Sequence, residues 1–279
     1  MKTSRQLKDK ARNLANAMGI PAHIVQRNYF LERFLERISL SEYRENFILK
    51  GGVLITSMLG IDARSTLDLD TTLRAQELSI TQIEKIIGAV LTIPIDDGVT
   101  FSLSDVKETR LEGDYPGCCV MLNATLDKTR DTVKLDITQG DVVTPRPIEY
   151  DYRLMFEERD IKVLAYNLET VLAEKFVATL SFDIINTRMK DFYDIYAIVS
   201  GRGGKVDPPT FAQALNNTAK QRQLIPLLGK ASEIIETLAK SDETAKFWVQ
   251  YQSKYSYAAG VKFSDTIGAL KTLAKWSKL

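Results

Sequence analysis

Hydrophobic residues repeat along this chain with two different periods. Residues 4–18 and 21–39 carry apolar side chains at every third or fourth position, which predicts two amphipathic helices, the first ended by Gly19. Within residues 47–144, several segments alternate between apolar and polar residues, as half-buried strands do. From residue 210 onward the helical spacing returns without alternating segments. We therefore predict an α+β fold.

Two stretches rich in proline or glycine suggest where the chain divides. Residues 145–147, Pro-Arg-Pro, end the alternating section, and residues 200–209 form the best candidate for a linker. The predicted sections are N-terminal helices over 1–46, a core of strands with the helices that follow them over 47–199, and a mainly helical C-terminal section over 200–279.

Two of the alternating segments carry aspartates on their polar faces. In residues 66–73, Asp68 and Asp70 share one face with Thr66, and in residues 133–138 Asp136 lies in the middle of the polar face. If the two strands lie side by side, three carboxylates converge. Carboxylates that close repel one another unless a cation lies among them, so a divalent metal ion is the natural complement. The alternative for any single Asp-x-Asp is an ordinary strand with solvated aspartates.

A glycine pair precedes the first of these strands. The apolar segment 47–50 ends at Gly51-Gly52, and a short helical segment then runs to Gly60. Glycines at a helix entrance allow a phosphate to approach the backbone N–H groups closely. A glycine pair alone marks only a turn. A glycine pair, a short helix, an Asp-x-Asp strand and a later strand with a third aspartate are together much more specific.

This order resembles the nucleotidyltransferase superfamily whose catalytic domain is like that of DNA polymerase beta. Four segments also resemble the motifs of the AbiEii/AbiGii toxin family: Lys50-Gly51-Gly52, residues 64–70, residues 172–176 and residues 188–196. The resemblance implies a polymerase-beta-like mixed sheet with flanking helices. It also implies a toxin from a bacterial toxin–antitoxin or phage-exclusion pair. Val53 departs from the Ser or Thr that relatives often carry, so no hydroxyl contact to phosphate is expected there.

The resemblance further implies a role for individual residues. Two Mg²⁺ or Mn²⁺ ions would be held by Asp68, Asp70 and Asp136, and Asp136 would help to remove the proton of the attacking hydroxyl. The nucleoside triphosphate would be bound by the residues Lys50, Gly51, Gly52, Thr66, Lys175 and Asp191.

The implied reaction is transfer of a nucleoside monophosphate to RNA, with tRNA as the expected acceptor. Modified tRNA would block translation and cause growth arrest or phage resistance. A cognate antitoxin is the expected genetic partner, and a direct complex with it is not required.

Helical spacing supports Lys175 independently of the resemblance. With Asn167 as the N-cap, Leu168 and Val171 share one face of a helix, and Lys175 emerges on the same apolar side. A lysine there is costly unless its ammonium group meets an anion. That anion is a phosphate if the resemblance holds. Snorkelling to solvent or pairing with a structural acid are the alternatives.

The next predicted helix carries two acids on one face. Asp191 and Asp194 are three residues apart, and either could simply pair with Arg188 or cap the helix. The resemblance assigns Asp191 to the active site. We interpret Asp194 as structural.

Composition narrows the classes of protein that remain. The chain has 279 residues, a formal net charge of +1, one histidine and two cysteines. Cys118 and Cys119 are adjacent, so on a strand they point to opposite faces and are poor disulfide partners. Serine or cysteine triads and a Walker loop are not indicated. No signal-peptide core or apolar membrane segment is seen, and a cytoplasmic protein without a membrane partner is expected.

Two other functions stay open at the level of sequence. A transferase of the same fold could modify protein or small-molecule hydroxyls, for example by AMP transfer. A toxin could instead bind GTP or a partner tightly without any turnover. The sequence does not distinguish which nucleoside triphosphate is used.

Overall fold

The computed structural model of the chain describes residues 1–60, 68–111, 115–182, 188–202 and 205–279. These residues form two compact units. Unit 1 comprises Met1–Gly140 with Ile148–Ala165, and unit 2 comprises Asp141–Pro147 with Tyr166–Leu279.

Unit 1 begins with the two expected helices, α1 (Ser4–Met18) and α2 (Ala22–Leu40). The hydroxyl of Thr3 caps α1 by accepting the Gln6 N–H, and Gly19 ends the helix with a φ of 65°, a conformation that favours glycine. The two helices pack against each other, and α2 also packs against the sheet described next. The buried, apolar side of α2 explains why the N-terminal helices belong to unit 1 and do not form a separate section.

The rest of unit 1 is a mixed sheet with short helices between its strands. The elements in chain order are β1 (Phe47–Lys50), α3 (Gly51–Leu59), β2 (Asp68–Leu73), α4 (Ile80–Leu91), β3 (Val99–Leu111), β4 (Tyr115–Leu126), β5 (Thr129–Gln139), β6 (Ile148–Arg153) and β7 (Asp160–Ala165). Within the described residues the sheet has seven strands in the order β3-β4-β5-β2-β1-β7-β6. Strands β2 and β5 are parallel, as are β1 and β7, whereas the other neighbouring pairs are antiparallel. The predicted mixed sheet is therefore confirmed.

The centre of the sheet follows the sequence alternation closely. Leu69 of β2 and Leu135 and Ile137 of β5 are at most 1% exposed. Their neighbours in the sequence point to the other face, which carries the aspartates. Burying these apolar side chains fixes which face of each strand is polar, because a slip by one residue would reverse it.

Unit 2 contains helices and no strands among the residues that the structure describes. Its helices are α5 (Leu168–Phe182), α6 (Met189–Arg202), α7 (Pro208–Gln221), α8 (Ile225–Leu228), α9 (Ala231–Lys240), α10 (Asp242–Lys254) and α11 (Phe263–Trp276). Helix α5 packs on α7 and α6 packs on α11. The helices on both sides of the candidate linker therefore share one unit, and the predicted boundary at residues 199–200 does not coincide with a boundary between units. None of the described helices has the length and hydropathy needed to cross a membrane.

Candidate active site

The two aspartate-bearing strands of unit 1 are neighbours in the sheet. Strands β2 and β5 run parallel, and their register sets Asp70 beside Asp136 and Asp68 beside Lys134. Two residues further along, the hydroxyls of Thr72 and Thr138 share a hydrogen bond of 2.8 Å, so the polar faces of both strands coincide. The two strands therefore lie side by side, and Asp68, Asp70 and Asp136 lie on the same face of the sheet.

The register extends this polar row across two further strands. Cys119 of β4 lies beside Asp136, and Lys50 of β1 lies beside Asp70. The row therefore reads cysteine, aspartate, aspartate, lysine across β4, β5, β2 and β1. Both cysteines are free; Cys118 is buried, whereas Cys119 belongs to the carboxylate face. Burial raises the pKa of the Cys119 thiol, and the negative charge of Asp136 raises it further.

Lys134 is the residue of this face that sequence reasoning missed. Its Nζ lies 2.6 Å from Oδ2 of Asp136 and 3.9 Å from Oδ2 of Asp68. Burial alone would lower the pKa of Lys134, but Asp136 and then Asp68 reverse the effect, so the pKa is raised and the side chain is a cation. The available signal was its position: Lys134 precedes Asp136 by two residues and therefore shares its face.

The glycine turn lies directly against Asp70. Gly51 has a φ of 65°, and a Cβ at this position would overlap the Asp70 carboxylate. The backbone N–H of Gly52, at the start of α3, donates to Oδ2 of Asp70 over 3.3 Å. The start of α3 thus already binds one anionic group, which is the chemistry expected where a helix dipole and backbone N–H groups meet an anion.

The carboxylates fit a divalent ion in their chemistry and their strand positions. Asp68, Asp70 and Asp136 supply carboxylate oxygens, the donors that Mg²⁺ and Mn²⁺ prefer. In the described residues, however, no three acidic, histidine or cysteine side chains are arranged as a metal site. The reason is visible in the contacts: Lys134 lies against Asp136 and Asp68, while Asp70 turns towards Gly52. The carboxylates thus suit a divalent ion by their chemistry, and the ammonium group of Lys134 is the cation that lies against two of them.

One residue of the predicted nucleotide site, Thr66, and the departing position Val53 follow the glycine turn in sequence. Thr66, like residues 61–67 as a whole, lies outside the described residues. Val53 is only 6% exposed, so a hydroxyl at that position would have a buried environment and a poor route to a ligand.

The later motifs build a separate charge cluster within unit 2. The Asn167 side chain caps α5 by accepting the Thr170 N–H over 2.9 Å, as expected. Lys175 of α5 has a side chain only 13% exposed, and its Nζ lies 2.7 Å from Asp191 and 2.6 Å from Asp194, both on α6. The structure therefore gives this lysine the anionic partners that its apolar surroundings demand.

Asp191 has two cationic partners in this cluster. It is 1% exposed, and the guanidinium of Arg188 also donates to it over 2.8 Å. Burial raises the pKa of Asp191, but Lys175 and Arg188 outweigh that effect and hold the pKa at about 2. Asp194 is fully buried and shares the same lysine. Pairing of Lys175 with acidic residues was one of the alternatives that the sequence left open, and the structure shows it. The proposed contact of Lys175 with phosphate stays a prediction.

A cavity of about 810 Å³ opens elsewhere in unit 1, between α1, α2, α3 and the end of β6. Its lining includes Glu32, whose carboxylate accepts the Met155 N–H at 2.9 Å. Burial raises the pKa of Glu32 to about 7, although Arg33 beside it acts in the opposite direction. Sequence reasoning missed this cavity because its lining comes from four separated segments. None of the three site aspartates lines it, so this cavity is separate from the carboxylate face.

Comparisons with known proteins indicate the same family as the sequence motifs. Residues 33–265 match the model of a family described as "Nucleotidyl transferase AbiEii toxin, Type IV TA system". No functionally curated protein matches the sequence significantly.

Solved structures resemble the chain over nearly its whole length. A Helicobacter pylori protein described as a nucleotidyltransferase has a TM-score of 0.51 at 13% identity, over 93% of this chain and 98% of its own. The toxin MenT4 of Mycobacterium tuberculosis, a nucleotidyltransferase, has a TM-score of 0.54 at 12% identity, over 98% of this chain and 99% of its own. At such identities the likeness supports the fold.

Proposed function

Because the chain belongs to the AbiEii family of nucleotidyltransferase toxins of type IV toxin–antitoxin systems, we propose that it transfers the monophosphate of a nucleoside triphosphate to RNA, with tRNA as acceptor. The observation that carries this proposal is the register between β2 and β5, which sets Asp70 beside Asp136 next to the Gly51–Gly52 turn. A helix start whose backbone N–H already binds a carboxylate, beside further carboxylates, suits a metal-bound triphosphate.

The carboxylates Asp68, Asp70 and Asp136 would hold Mg²⁺ or Mn²⁺. When bound, two such ions supply neutralisation of the triphosphate and a lowered pKa for the attacking hydroxyl. The backbone N–H groups at Gly51 and Gly52 would orient the phosphates, and Lys50, which flanks Asp70 in the sheet, would add a positive charge.

In the proposed reaction, a hydroxyl oxygen of the acceptor forms a bond to the α-phosphorus. The bond from that phosphorus to the bridging oxygen breaks, and pyrophosphate leaves. The hydroxyl proton passes to the carboxylate of Asp136. Lys175 and Asp191 are assigned to this reaction by the family resemblance alone: Lys175 would bind phosphate, and Asp191 would orient the nucleotide or its metal ion.

The biological consequence follows from the choice of acceptor. A tRNA that carries an extra nucleotide at its acceptor end cannot be aminoacylated, so translation stops and growth is arrested. Nucleoside triphosphates and tRNA are both found in the cytoplasm, where we expect the protein to act. The family assignment implies an antitoxin partner.

Incubation of the purified protein with each labelled nucleoside triphosphate, Mg²⁺, and either total RNA or cell protein tests the proposal. Label in tRNA supports it, and the Asp136→Asn variant should give none. Label in protein would favour the transferase that modifies protein hydroxyls. Tight GTP binding without transfer to any acceptor would favour a toxin that acts by sequestration.

A further inference from the structure

Lys134 stands in the position that a divalent ion would take between two of the site carboxylates. It precedes Asp136 on β5 and lies beside Asp68 on β2. Its Nζ is 2.6 Å from Asp136 and 3.9 Å from Asp68, and its side chain is 37% exposed. The carboxylates are therefore partly neutralised by a group of the protein itself.

We propose that Lys134 is a counter-cation that holds the site closed to free metal ions and withdraws when a metal-bound nucleotide arrives. The inference rests on the proposed function, because it concerns the same carboxylates. Lys134 acts on the site carboxylates and takes no part in bond formation or proton transfer in the proposed reaction. It is therefore a positioning residue.

A lysine suits this role on physical grounds. Two neighbouring carboxylates without a cation repel each other, and Lys134 relieves that repulsion when no nucleotide is present. A divalent ion entering alone must displace the ammonium group, which then loses its partner. An ion entering with a triphosphate brings several negative charges, which offer the ammonium a new partner. The flexible four-carbon stem of lysine permits such a change of partner.

This arrangement makes metal and nucleotide binding mutually favourable. If the nucleotide draws Lys134 away, the nucleotide raises the affinity for metal, and by linkage the metal raises the affinity for nucleotide by the same factor. The free protein then binds Mg²⁺ or Mn²⁺ weakly, and the metal site forms together with its substrate.

Binding of Mn²⁺ to the full chain, measured by titration calorimetry without nucleotide, tests the inference apart from activity. The Lys134→Met variant should bind Mn²⁺ about tenfold more tightly than the wild type, which is about 1.4 kcal/mol. The Lys134→Arg variant keeps the charge and can hold a carboxylate through two hydrogen bonds, so it should bind no more tightly than the wild type. With a non-hydrolysable triphosphate present, the difference between Lys134→Met and wild type should shrink.

The same sheet offers a matched control. Lys107 of β3 also pairs with an aspartate two residues earlier, Asp105, over 2.5 Å. It lies beside Cys119 at the edge of the sheet, so strand β4 separates it from the site carboxylates. Lys107→Met should leave the Mn²⁺ affinity unchanged. A melting curve for each variant verifies that it is folded.

The outcomes separate this inference from the proposed function. Equal Mn²⁺ affinity in wild type and Lys134→Met, with binding lost in Asp136→Asn, would overturn the role of Lys134. The same result would still support a metal site at the carboxylates. If neither protein bound Mn²⁺, with or without the triphosphate analogue, the metal site and the role of Lys134 would both be overturned.

Discussion

The Cα of Gly51 faces the carboxylate of Asp70 so closely that a methyl group on this glycine would overlap it. The two residues are also joined through the next backbone N–H, because Gly52 donates to Asp70 over 3.3 Å. The glycine pair and the Asp-x-Asp strand, which are separate motifs in the sequence, are thus one structural feature. Substitution of either Gly51 or Asp70 should therefore disturb both the glycine turn and the aspartate-bearing strand.

Gly51→Ala is expected to lower stability and to abolish transfer activity. A φ of 65° costs a residue with a Cβ about 1–2 kcal/mol, and the overlap with Asp70 adds to that cost. Thermal denaturation and the labelled-nucleotide assay measure the two effects. Gly88→Ala on α4 is the matched control, since nothing lies within 4 Å of its Cβ position, and it should be neutral or stabilise by up to about 1 kcal/mol. A fully active Gly51→Ala variant would show that the glycine turn is not part of the active site.

Asp70→Ala and Asp68→Ala should each lower the rate of nucleotide transfer by about a thousandfold or more, since metal and electrostatic stabilisation carry much of such a barrier. Both side chains lie on the partly exposed polar face of β2, so the fold should survive. Single-turnover assays with saturating nucleotide measure the effect. Asp105→Asn on β3 is the control and should retain the wild-type rate. Near wild-type transfer by Asp68→Ala would be incompatible with a carboxylate site.

Lys175→Met is expected to lower both stability and activity, because it leaves Asp191 and Asp194 buried without their shared cation. The loss of one partner from a buried ion pair typically costs about 3–5 kcal/mol. The triple variant Lys175→Met/Asp191→Asn/Asp194→Asn removes the stranded charges and should regain most of the stability. Denaturant unfolding measures the free energy of unfolding of each variant and so detects this recovery.

Activity then separates the two possible roles of Lys175. If the lysine contacts phosphate, the triple variant stays inactive, and its nucleotide affinity is weak. Activity that returned along with stability would show that the lysine is structural only.

Acid should weaken unit 2 through Asp191. The pKa of this carboxyl is about 2, below its ordinary value of 3.8, so the folded state favours the charged form. The stabilisation is therefore complete above about pH 4 and is lost as the pH falls towards 2. From the size of the shift it amounts to about 2 kcal/mol. The stability gap between wild type and Asp191→Asn should shrink by that amount between pH 5 and pH 2. A gap that stays constant with pH would contradict the assignment.

Expression of the protein alone in a bacterium should arrest growth reversibly, and co-expression of the product of a neighbouring gene should relieve the arrest. The expected neighbour is a DNA-binding antitoxin. Growth curves for wild type against Asp68→Ala, Asp70→Ala and Asp136→Ala provide the test. Equal arrest by all four proteins would mean that toxicity is not enzymatic, and no arrest by folded wild-type protein would count against toxicity itself.

Local patterns were enough to predict several parts of this structure. The period of two in residues 68–73 and 133–138 predicted which face of each strand is polar, and burial of Leu69 and Leu135 bears this out. The caps at Gly19 and Asn167 likewise depend only on residues within one turn of helix. Such features can be predicted because the interactions that produce them are close in the sequence.

The tertiary structure alone decided how these parts are combined. Asp70 and Asp136 become neighbours because β2 and β5 pair across more than sixty residues, and no periodicity specifies which strands pair. The same pairing brings Lys134 within 3.9 Å of Asp68, a contact that the local sequence does not specify. The packing of α5 on α7 also set the unit boundary, since it depends on complementary side-chain surfaces and not on the composition of the segment between them.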